Sequence, residues 1–229
     1  MKLERFDDRS KLLLGDDFEL IKNFKIAVIG IGGVGSIVPI SLVRSGVKNI
    51  LIVDGDKVDE TNLNRQIAYD FNDLNLFKVD ALKNKLLNIR DDINISTIAR
   101  RIDDSFNLSI LKDYDFVIDC IDDVKAKILL AKFTSENNIP FISSMGTGNR
   151  LDTTKIIVTT LNKTSGDPLA RKLRYELKKE GVNLSKINVV FSLEEPIIKG
   201  KVISSMIFVP NTVGLTIASF VIKSLLGRS

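Results

Sequence analysis

The stretch KIAVIGIGGVGS, Lys25 to Ser36, decides the fold. Its first half is a short apolar run with β-branched residues, which is typical of a buried strand. Its second half matches GxGxxG, the turn that leads from a strand into a helix and lets the backbone approach a phosphate. A tight turn without a ligand is the alternative. The four glycines in six positions favour a nucleotide site: Gly30, Gly32, Gly33 and Gly35.

Apolar runs of the same kind alternate with helical patterns along the first two thirds of the chain. Further buried strands are predicted at Asn49–Asp54, Asp115–Cys120 and Ile139–Gly146, and helices at Val38–Gly46, Leu76–Arg90 and Lys125–Asn138. Strands of continuous apolar character between helices are typical of parallel sheets covered on both faces. The sequence therefore predicts a Rossmann-like, mostly parallel α/β sheet with helices on both faces.

The pattern changes after Gly146. Three further strands are predicted with one basic helix among them, the strands at Lys155–Leu161, Ile187–Leu193 and Lys201–Val209 and the helix at Asp167–Gly181. We expect them to extend the sheet with mixed or antiparallel strands. Because no Pro/Gly/Ser-rich linker precedes them, we expect a single domain, residues 1–229, whose nucleotide-binding part is residues 1–150.

An uncharged run, Val202 to Ile222, is long enough to cross a bilayer. Pro210, Asn211 and Gly214 interrupt it, so a strand followed by a core or interface helix is the preferred interpretation, without membrane insertion. The N-terminus, MKLERFDDRSKLLLGDD, is charged and has no apolar signal-peptide core. Together with a single cysteine, this predicts a protein of the reducing cytoplasm.

The residue inventory excludes several kinds of chemistry. The chain has no histidine, which excludes Ser-His-Asp and Cys-His nucleophilic systems and His-ligated metals. One cysteine excludes a CxxC zinc site and an intrachain disulfide. The net charge of +4 belongs to one segment, since 151–201 holds 10 basic and 6 acidic residues while the remainder is neutral.

A dense polar stretch, DGDKVDETNLNRQ, follows the second strand from Asp54 to Gln66. Asp54 stands close to the spacing at which an acidic residue meets a ribose hydroxyl, which does not distinguish NAD from ATP. The other polar residues favour a triphosphate over a dinucleotide: Arg65 and Lys78 neutralise phosphate charge, Asn62 and Gln66 orient it, and Asp54 with Asp56 hold ribose and Mg²⁺. A polar loop capped by Thr61 does not explain the alignment with a glycine loop.

Four segments together resemble the ThiF/MoeB/ubiquitin-activating superfamily of adenylating enzymes: GIGGVGS, DGDKVDETNLNRQ, Lys78, and DCIDDV at Asp119 to Val124. The resemblance implies that ATP and Mg²⁺ bind at the matching positions Gly32, Asp54, Asn62, Arg65, Lys78 and Asp122, with Asp122 as the metal ligand. It also implies an arginine that reaches the phosphates from a partner subunit, hence a homodimer. Arg9 in RFDDRS is the candidate and Arg5 the second choice.

Later segments resemble one family within that superfamily, the tRNA threonylcarbamoyladenosine dehydratases (TcdA, also called CsdL). They are Ser143–Ile156, Asp167–Gly181, Val189–Pro196 and the ending VPNTVGLTIASFVI. The resemblance implies ATP-dependent cyclisation of threonylcarbamoyladenosine in tRNA, a substrate-facing and dimer-forming part at 151–229, a monovalent cation and a sulfur-transfer protein partner. Because the substrate carries its own nucleophile, no enzymic thiol is needed, and we expect Cys120 to be a packed structural residue.

The basic helix is the predicted tRNA contact. Arg171, Arg174 and Lys178 form one row and Lys172 and Lys179 an adjacent one. A solvated charged face is the alternative interpretation. Three other functions stay open: an adenylyltransferase for a ubiquitin-like sulfur carrier, an NAD(P)-dependent oxidoreductase or redox-sensing module, and an RNA-binding scaffold without catalytic activity.

Overall fold

The computed structural model describes residues 5–198 and 203–228, and its centre is one seven-stranded sheet. The strands are β1 (Lys25–Ile29), β2 (Asn49–Val53), β3 (Asn94–Ile98), β4 (Phe116–Asp119), β5 (Phe141–Ser144), β6 (Ile156–Thr160) and β7 (Asn188–Ser192). Their spatial order is β3-β2-β1-β4-β5-β7-β6. All neighbours are parallel except β6, which pairs antiparallel with β7. The predicted parallel sheet and its antiparallel extension are confirmed.

Helices cover both faces of this sheet. They are α1 (Asp8–Leu14), α2 (Asp17–Ile21), α3 (Ile37–Ser45), α4 (Lys78–Ile89), α5 (Val124–Glu136), α6 (Pro168–Lys179) and α7 (Phe208–Leu225). Alternate strand residues face two separate cores: Ile26 and Val28 pack with α3, α4 and α7, whereas Ala27 and Ile29 pack with α5 and α6. The continuous apolar character of β1 follows from this burial on both faces.

Two elements differ from the sequence-based expectation. Strand β3 was not predicted, because its sequence NISTI is polar and only half-buried, as suits an edge strand. The predicted strand Lys201–Val209 is wrong for its described residues, and Lys201 and Val202 lie outside them. Ser204 bonds to Asn149 through both backbone and side chain instead of joining the sheet, and α7 begins at Phe208.

Helix α7 contains the uncharged run from Phe208 onward and is continuous through Pro210 and Gly214. Proline fits here because the first turn of a helix has no intrahelical partner for its N–H groups. By length and composition α7 passes as a membrane span, but nearly half of it is buried inside the protein. A Cβ on Gly214 would stand 2.3 Å from Ile37 Cγ2 and 2.4 Å from Val34 O, so α7 lies directly on the start of α3. Its packing matches the expected core helix.

The turn after β1 is closed so tightly that two of its glycines are obligatory. Gly30 has φ +81°, and a Cβ there would lie 2.8 Å from the Ile121 amide nitrogen. A Cβ on Gly35 would lie 1.8 Å from Gly30 O and 2.9 Å from Cys120 Cβ. Glycine at these positions therefore brings the start of α3 against the ends of β1 and β4.

A pair of alanine substitutions tests this turn. Gly35→Ala forces the backbone apart and should cost about 3 kcal/mol or more, which lowers Tm by about 8 °C or more in a domain of this size. Gly33→Ala is the matched control, because its Cβ would meet Pro210 and Arg65 at ordinary distances of 3.6 and 3.7 Å. Thermal melts of equal loss for both variants would contradict the assigned role of Gly35.

Candidate active site

The candidate site lies at the carboxyl edge of the sheet, where the strand order reverses between β1 and β4. Ligands of open α/β sheets bind at such switch points. Three loops meet there: Gly30–Ser36 after β1, Asp54–Gln66 after β2 and Cys120–Asp123 after β4. Sequence-predicted residues that stand far apart in the chain are therefore brought to one edge of the sheet.

Asp54 ties the first two loops together. Its Oδ2 accepts from the Ile31 amide at 2.8 Å and its Oδ1 from the Asp56 amide at 2.8 Å. Burial raises the pKa of Asp54 above its ordinary value, although Lys78 and the two amide donors oppose the shift. The carboxylate is therefore fixed in position beside the glycine loop.

Asp56 accepts hydrogen bonds from two basic side chains, Lys78 and Arg101. It accepts from Lys78 Nζ at 3.1 Å and from Arg101 at 3.1 and 2.6 Å. Partial burial raises the pKa of Asp56, but the bonds from Arg101 and Lys78 outweigh burial, so the pKa lies below its ordinary value. Lys78 is buried at the first position of α4, whereas Arg101 is exposed. Arg101 was not predicted, since it follows the unrecognised strand β3.

Arg65 and Gln66 lie over the glycine loop. Arg65 Cγ and Cδ stand 3.7 Å from a Cβ built on Gly33, and Gln66 Nε2 stands 3.7 Å from one built on Gly32. The Arg65 guanidinium donates to Thr61 O at 2.7 Å. Gln66 is buried, and its Oε1 has no hydrogen-bond partner. An unpartnered buried oxygen beside a glycine turn is a polar group for which a ligand can supply a donor.

Asn62 has a local role in the polar loop. Its Oδ1 accepts from the Asp59 amide at 3.3 Å, while Asp59 accepts from the Thr61 amide at 2.9 Å, which closes a capping box around the short turn Glu60–Asn62. The residue that caps this loop is therefore Asp59, and not Thr61 as in the alternative interpretation. Asn62 helps to hold the loop that presents Arg65.

Asp122 is exposed in the loop after β4. Within the described residues no hydrogen bond or salt bridge includes it, although its charge helps to raise the pKa of Arg101. No group of three or more Asp, Glu or Cys residues that could hold a metal converges in the described part of the chain. One free carboxylate beside a phosphate-binding loop fits Mg²⁺, which protein sites commonly bind through one or two carboxylates together with substrate phosphates. The residues present thus fit a nucleotide with its magnesium ion.

Known proteins are similar to this chain in sequence and fold. The ThiF family sequence model matches residues 9–229. A tRNA threonylcarbamoyladenosine dehydratase of Bacillus subtilis is 35% identical over 238 residues, which cover 95% of this chain and 93% of the relative. The chain belongs to the ThiF family, in its tRNA threonylcarbamoyladenosine dehydratase branch.

One further relative and two solved structures are also similar to this chain. The tRNA threonylcarbamoyladenosine dehydratase 2 of Saccharomyces cerevisiae is 41% identical over 187 residues, but the match covers only 42% of that longer protein. The crystal structure of the Escherichia coli dehydratase TcdA with AMP superposes with a TM-score of 0.91 at 30% identity, covering 96% of this chain and 93% of that one. The structure of its complex with ATP superposes with a TM-score of 0.90 at 32% sequence identity.

The basic helix of this ThiF-family chain starts against the loop after β5, at the same edge of the sheet as the site. Asp167 caps α6 and also accepts from the Gly146 amide at 3.0 Å, in the loop after β5. Arg171, Lys172, Lys178 and Lys179 are exposed along the helix. Arg174 differs from its predicted role, because its guanidinium is partly buried and donates to Thr164 O at 2.9 Å. Tyr175, which was not predicted, adds an aromatic residue that is 61% exposed. Lys179 Nζ lies 4.0 Å from the centroid of its ring.

The candidate arginines of the N-terminus lie away from the site of their own chain. Asp7 pairs with Arg90 at 3.1 Å, and Arg90 directly follows α4. Lys78 begins the same helix in the site, so about 18 Å of helix separates the two ends. Arg9 and Arg5 are exposed at the far end, where neither can act on its own site.

Cys120 is the first residue of the loop Cys120–Asp123, called the Asp122 loop below, and its Cβ lies against Gly35 of the glycine turn. Burial raises the pKa of its thiol to about 12, and Asp119 adds to the shift. A thiol of this kind is protonated at neutral pH and is a poor nucleophile. Its contact with Gly35 indicates a packing role, as expected.

Cys120→Ala keeps the Cβ that packs on Gly35, so we expect ATP-dependent activity within about twofold of the wild type. The native thiol should resist alkylation at pH 8, since about one part in ten thousand is thiolate at a pKa of 12. Rapid alkylation of the folded protein, or loss of activity in a stably folded variant, would contradict a packing role. Alkylation of the unfolded chain serves as the control.

Proposed function

We propose that this chain is an ATP-dependent tRNA threonylcarbamoyladenosine dehydratase that acts through an acyl-adenylate. The observation that supports the proposal is the set of basic and acidic side chains around the glycine turn, on a fold shared over almost its whole length with dehydratases that bear this name. Residues 1–229 form one adenylating domain in this proposal. Its cytoplasmic location follows from the substrate class.

ATP is placed with its phosphates at the glycine loop. The turn before α3 offers backbone N–H groups to anionic oxygens. Arg65 and Lys78 neutralise phosphate charge, and Asp54 holds the ribose side. Asp122 would hold Mg²⁺, which withdraws charge from the reacting phosphate when bound. Each of these roles requires a fixed position and a charge, and none requires a nucleophile of the protein.

The reaction balances without an enzymic thiol. The threonyl carboxylate attacks the α-phosphorus of ATP and expels pyrophosphate, which leaves an acyl-adenylate. The carbamoyl nitrogen then attacks the acyl carbon, loses its proton, and expels AMP as the ring closes. The net change in the nucleoside is the loss of one water equivalent. Because nucleophile and acyl carbon belong to one side chain, proximity replaces covalent catalysis.

The remaining parts of the proposal concern partners. The exposed basic side chains of α6 contact tRNA backbone, starting at the loop after β5. A homodimer brings Arg9 of one subunit to the phosphates of the other. A monovalent cation and a sulfur-transfer protein are included on family resemblance alone. The alternative of a sulfur-carrier adenylyltransferase gains no support from Cys120, whose thiol is protonated and desolvated.

The proposed function is tested by nucleoside mass analysis. The protein with ATP, Mg²⁺ and tRNA from cells lacking the activity should convert threonylcarbamoyladenosine to a product one water lighter, with AMP released. Asp122→Ala and Arg65→Ala should each lose activity by about a hundredfold or more, because they remove charge from the reacting phosphates. Arg44→Ala, at an exposed position of α3, is the matched control. Near-normal turnover by either site variant in folded protein would overturn the site.

The tRNA surface is tested by charge reversal on α6. Lys178→Glu should weaken tRNA binding by about tenfold at physiological salt and flatten its salt dependence. Lys25→Glu is the control, because Lys25 is exposed at the amino end of β1, at the edge of the sheet opposite the site. Equal affinities of the two variants in filter-binding assays would contradict a role for α6.

Arg9 is tested by mixing subunits. Arg9→Ala and Asp122→Ala homodimers should both be inactive, whereas random mixtures should recover about a quarter of wild-type activity, because half of the dimers then carry one complete site. Activity returns in the mixture only if Arg9 of one subunit acts at the site that contains Asp122 of the other. Full activity of Arg9→Ala alone, or an inactive mixture of folded subunits, would overturn the proposed role.

A further inference from the structure

A lysine that no predicted role includes is completely buried beneath the site. Lys127 on α5 and Asp119 at the end of β4 both have 0% exposed side chains. Lys127 Nζ donates to Asp119 Oδ2 at 3.0 Å, Ser143 Oγ at 3.0 Å and Ser144 O at 2.7 Å. The ammonium group has three protons, and each has an acceptor.

The network is closed at its other members as well. Ser143 Oγ donates to Asp119 Oδ2 at 2.6 Å, and the Ile121 amide donates to Asp119 Oδ1 at 3.0 Å. A fully satisfied buried network is rigid, whereas a buried charge that loses its partner is strongly unfavourable. Hydrophobic side chains of the same volume would fill this space without that risk, so stability alone is a weak reason for such a pair.

The four groups lie where two functional loops begin. Asp119 is the last residue of β4 and precedes the Asp122 loop, while Ser144 is the last residue of β5 and precedes the loop that contacts the start of α6. The Asp122 loop is also fixed at its far end, because Asp123 caps the same helix that carries Lys127. One ammonium group thus joins both ends of the Asp122 loop to the loop after β5.

We propose that Lys127 is a positioning residue for the adenylation site, and that it holds the Asp122 carboxylate in register with the glycine loop for binding of the magnesium–nucleotide complex. The inference rests on the proposed function for its catalytic consequence only. Lys127 touches neither nucleotide nor metal in this account. Its effect passes through Asp119 and the backbone of the Asp122 loop.

The decisive variant replaces both charges. Lys127→Met alone leaves Asp119 charged and buried, so a folding defect would obscure its effect. The double variant Asp119→Asn with Lys127→Met is neutral and of similar volume, and it should remain folded with a melting temperature near that of the wild type. Asp119→Asn alone would leave the Lys127 ammonium charged and buried without its carboxylate partner, so it has the same defect as Lys127→Met alone.

Two readouts separate positioning from packing. The first is the gain in ATP affinity that Mg²⁺ confers, measured without tRNA. We expect the double variant to bind ATP without Mg²⁺ within about twofold of the wild type but to lose the gain from Mg²⁺ by about tenfold, as for residues that orient a metal ligand. The second is kcat, which should fall by about a hundredfold, the effect of a displacement near 1 Å.

Each outcome has one meaning. A folded double variant that keeps the wild-type gain from Mg²⁺ overturns the role of Lys127. A wild-type protein that binds magnesium–ATP but does not convert the modified tRNA overturns the proposed function, while the affinity readout still decides the role of Lys127. A double variant that does not fold at neutral charge shows that Lys127 is required for the fold, and this also overturns the inference.

Discussion

The contact between Gly35 and Gly30 is the constraint on which the rest of the structure depends. Because a side chain on Gly35 would overlap the Gly30 carbonyl, only glycine allows α3 to begin directly over the end of β1. That closeness places the amide groups of the turn beside Asp54 and beneath Arg65. It also presses the turn against Cys120 and Ile121, so the position of the Asp122 loop depends on the same contact.

Most of the sheet was predictable because β1, β2, β4 and β5 are buried on both faces, and burial leaves continuous apolar runs in the sequence. Strand β3 escaped because an edge strand keeps polar side chains. The region around Ser204 was mistaken for a strand because its composition is apolar. Its hydrogen bonds to Asn149 depend on contacts between distant segments, and composition does not record such contacts.

The site residues also divide into those that the sequence predicted and those that only the structure revealed. Motif spacing predicted the glycine loop, Asp54, Arg65 and Lys78, and the family resemblance added Asp122, because residue type and order along the chain are visible in the sequence. Spacing did not reveal Arg101 or Lys127, whose roles arise only when β3, α5 and β5 come together. Arg174 was grouped with the exposed basic residues because helical periodicity does not reveal its bond to Thr164. Contacts between residues that are distant in the sequence determine which charged side chains stay exposed and unpaired.

The absence of histidine and the protonated state of Cys120 restrict the chemistry to charge and position. Such a site can activate a carboxylate, but the nucleophile for the second step has to come from the substrate. A substrate whose threonyl carboxylate and carbamoyl nitrogen share one side chain meets this requirement.

The most direct test of this account is to follow heavy oxygen from the threonyl carboxylate of the modified tRNA during one turnover. Released AMP should carry one labelled oxygen, and the cyclic product should have lost one. Labelled inorganic phosphate, or unlabelled AMP with cyclic product formed, would contradict activation through an acyl-adenylate.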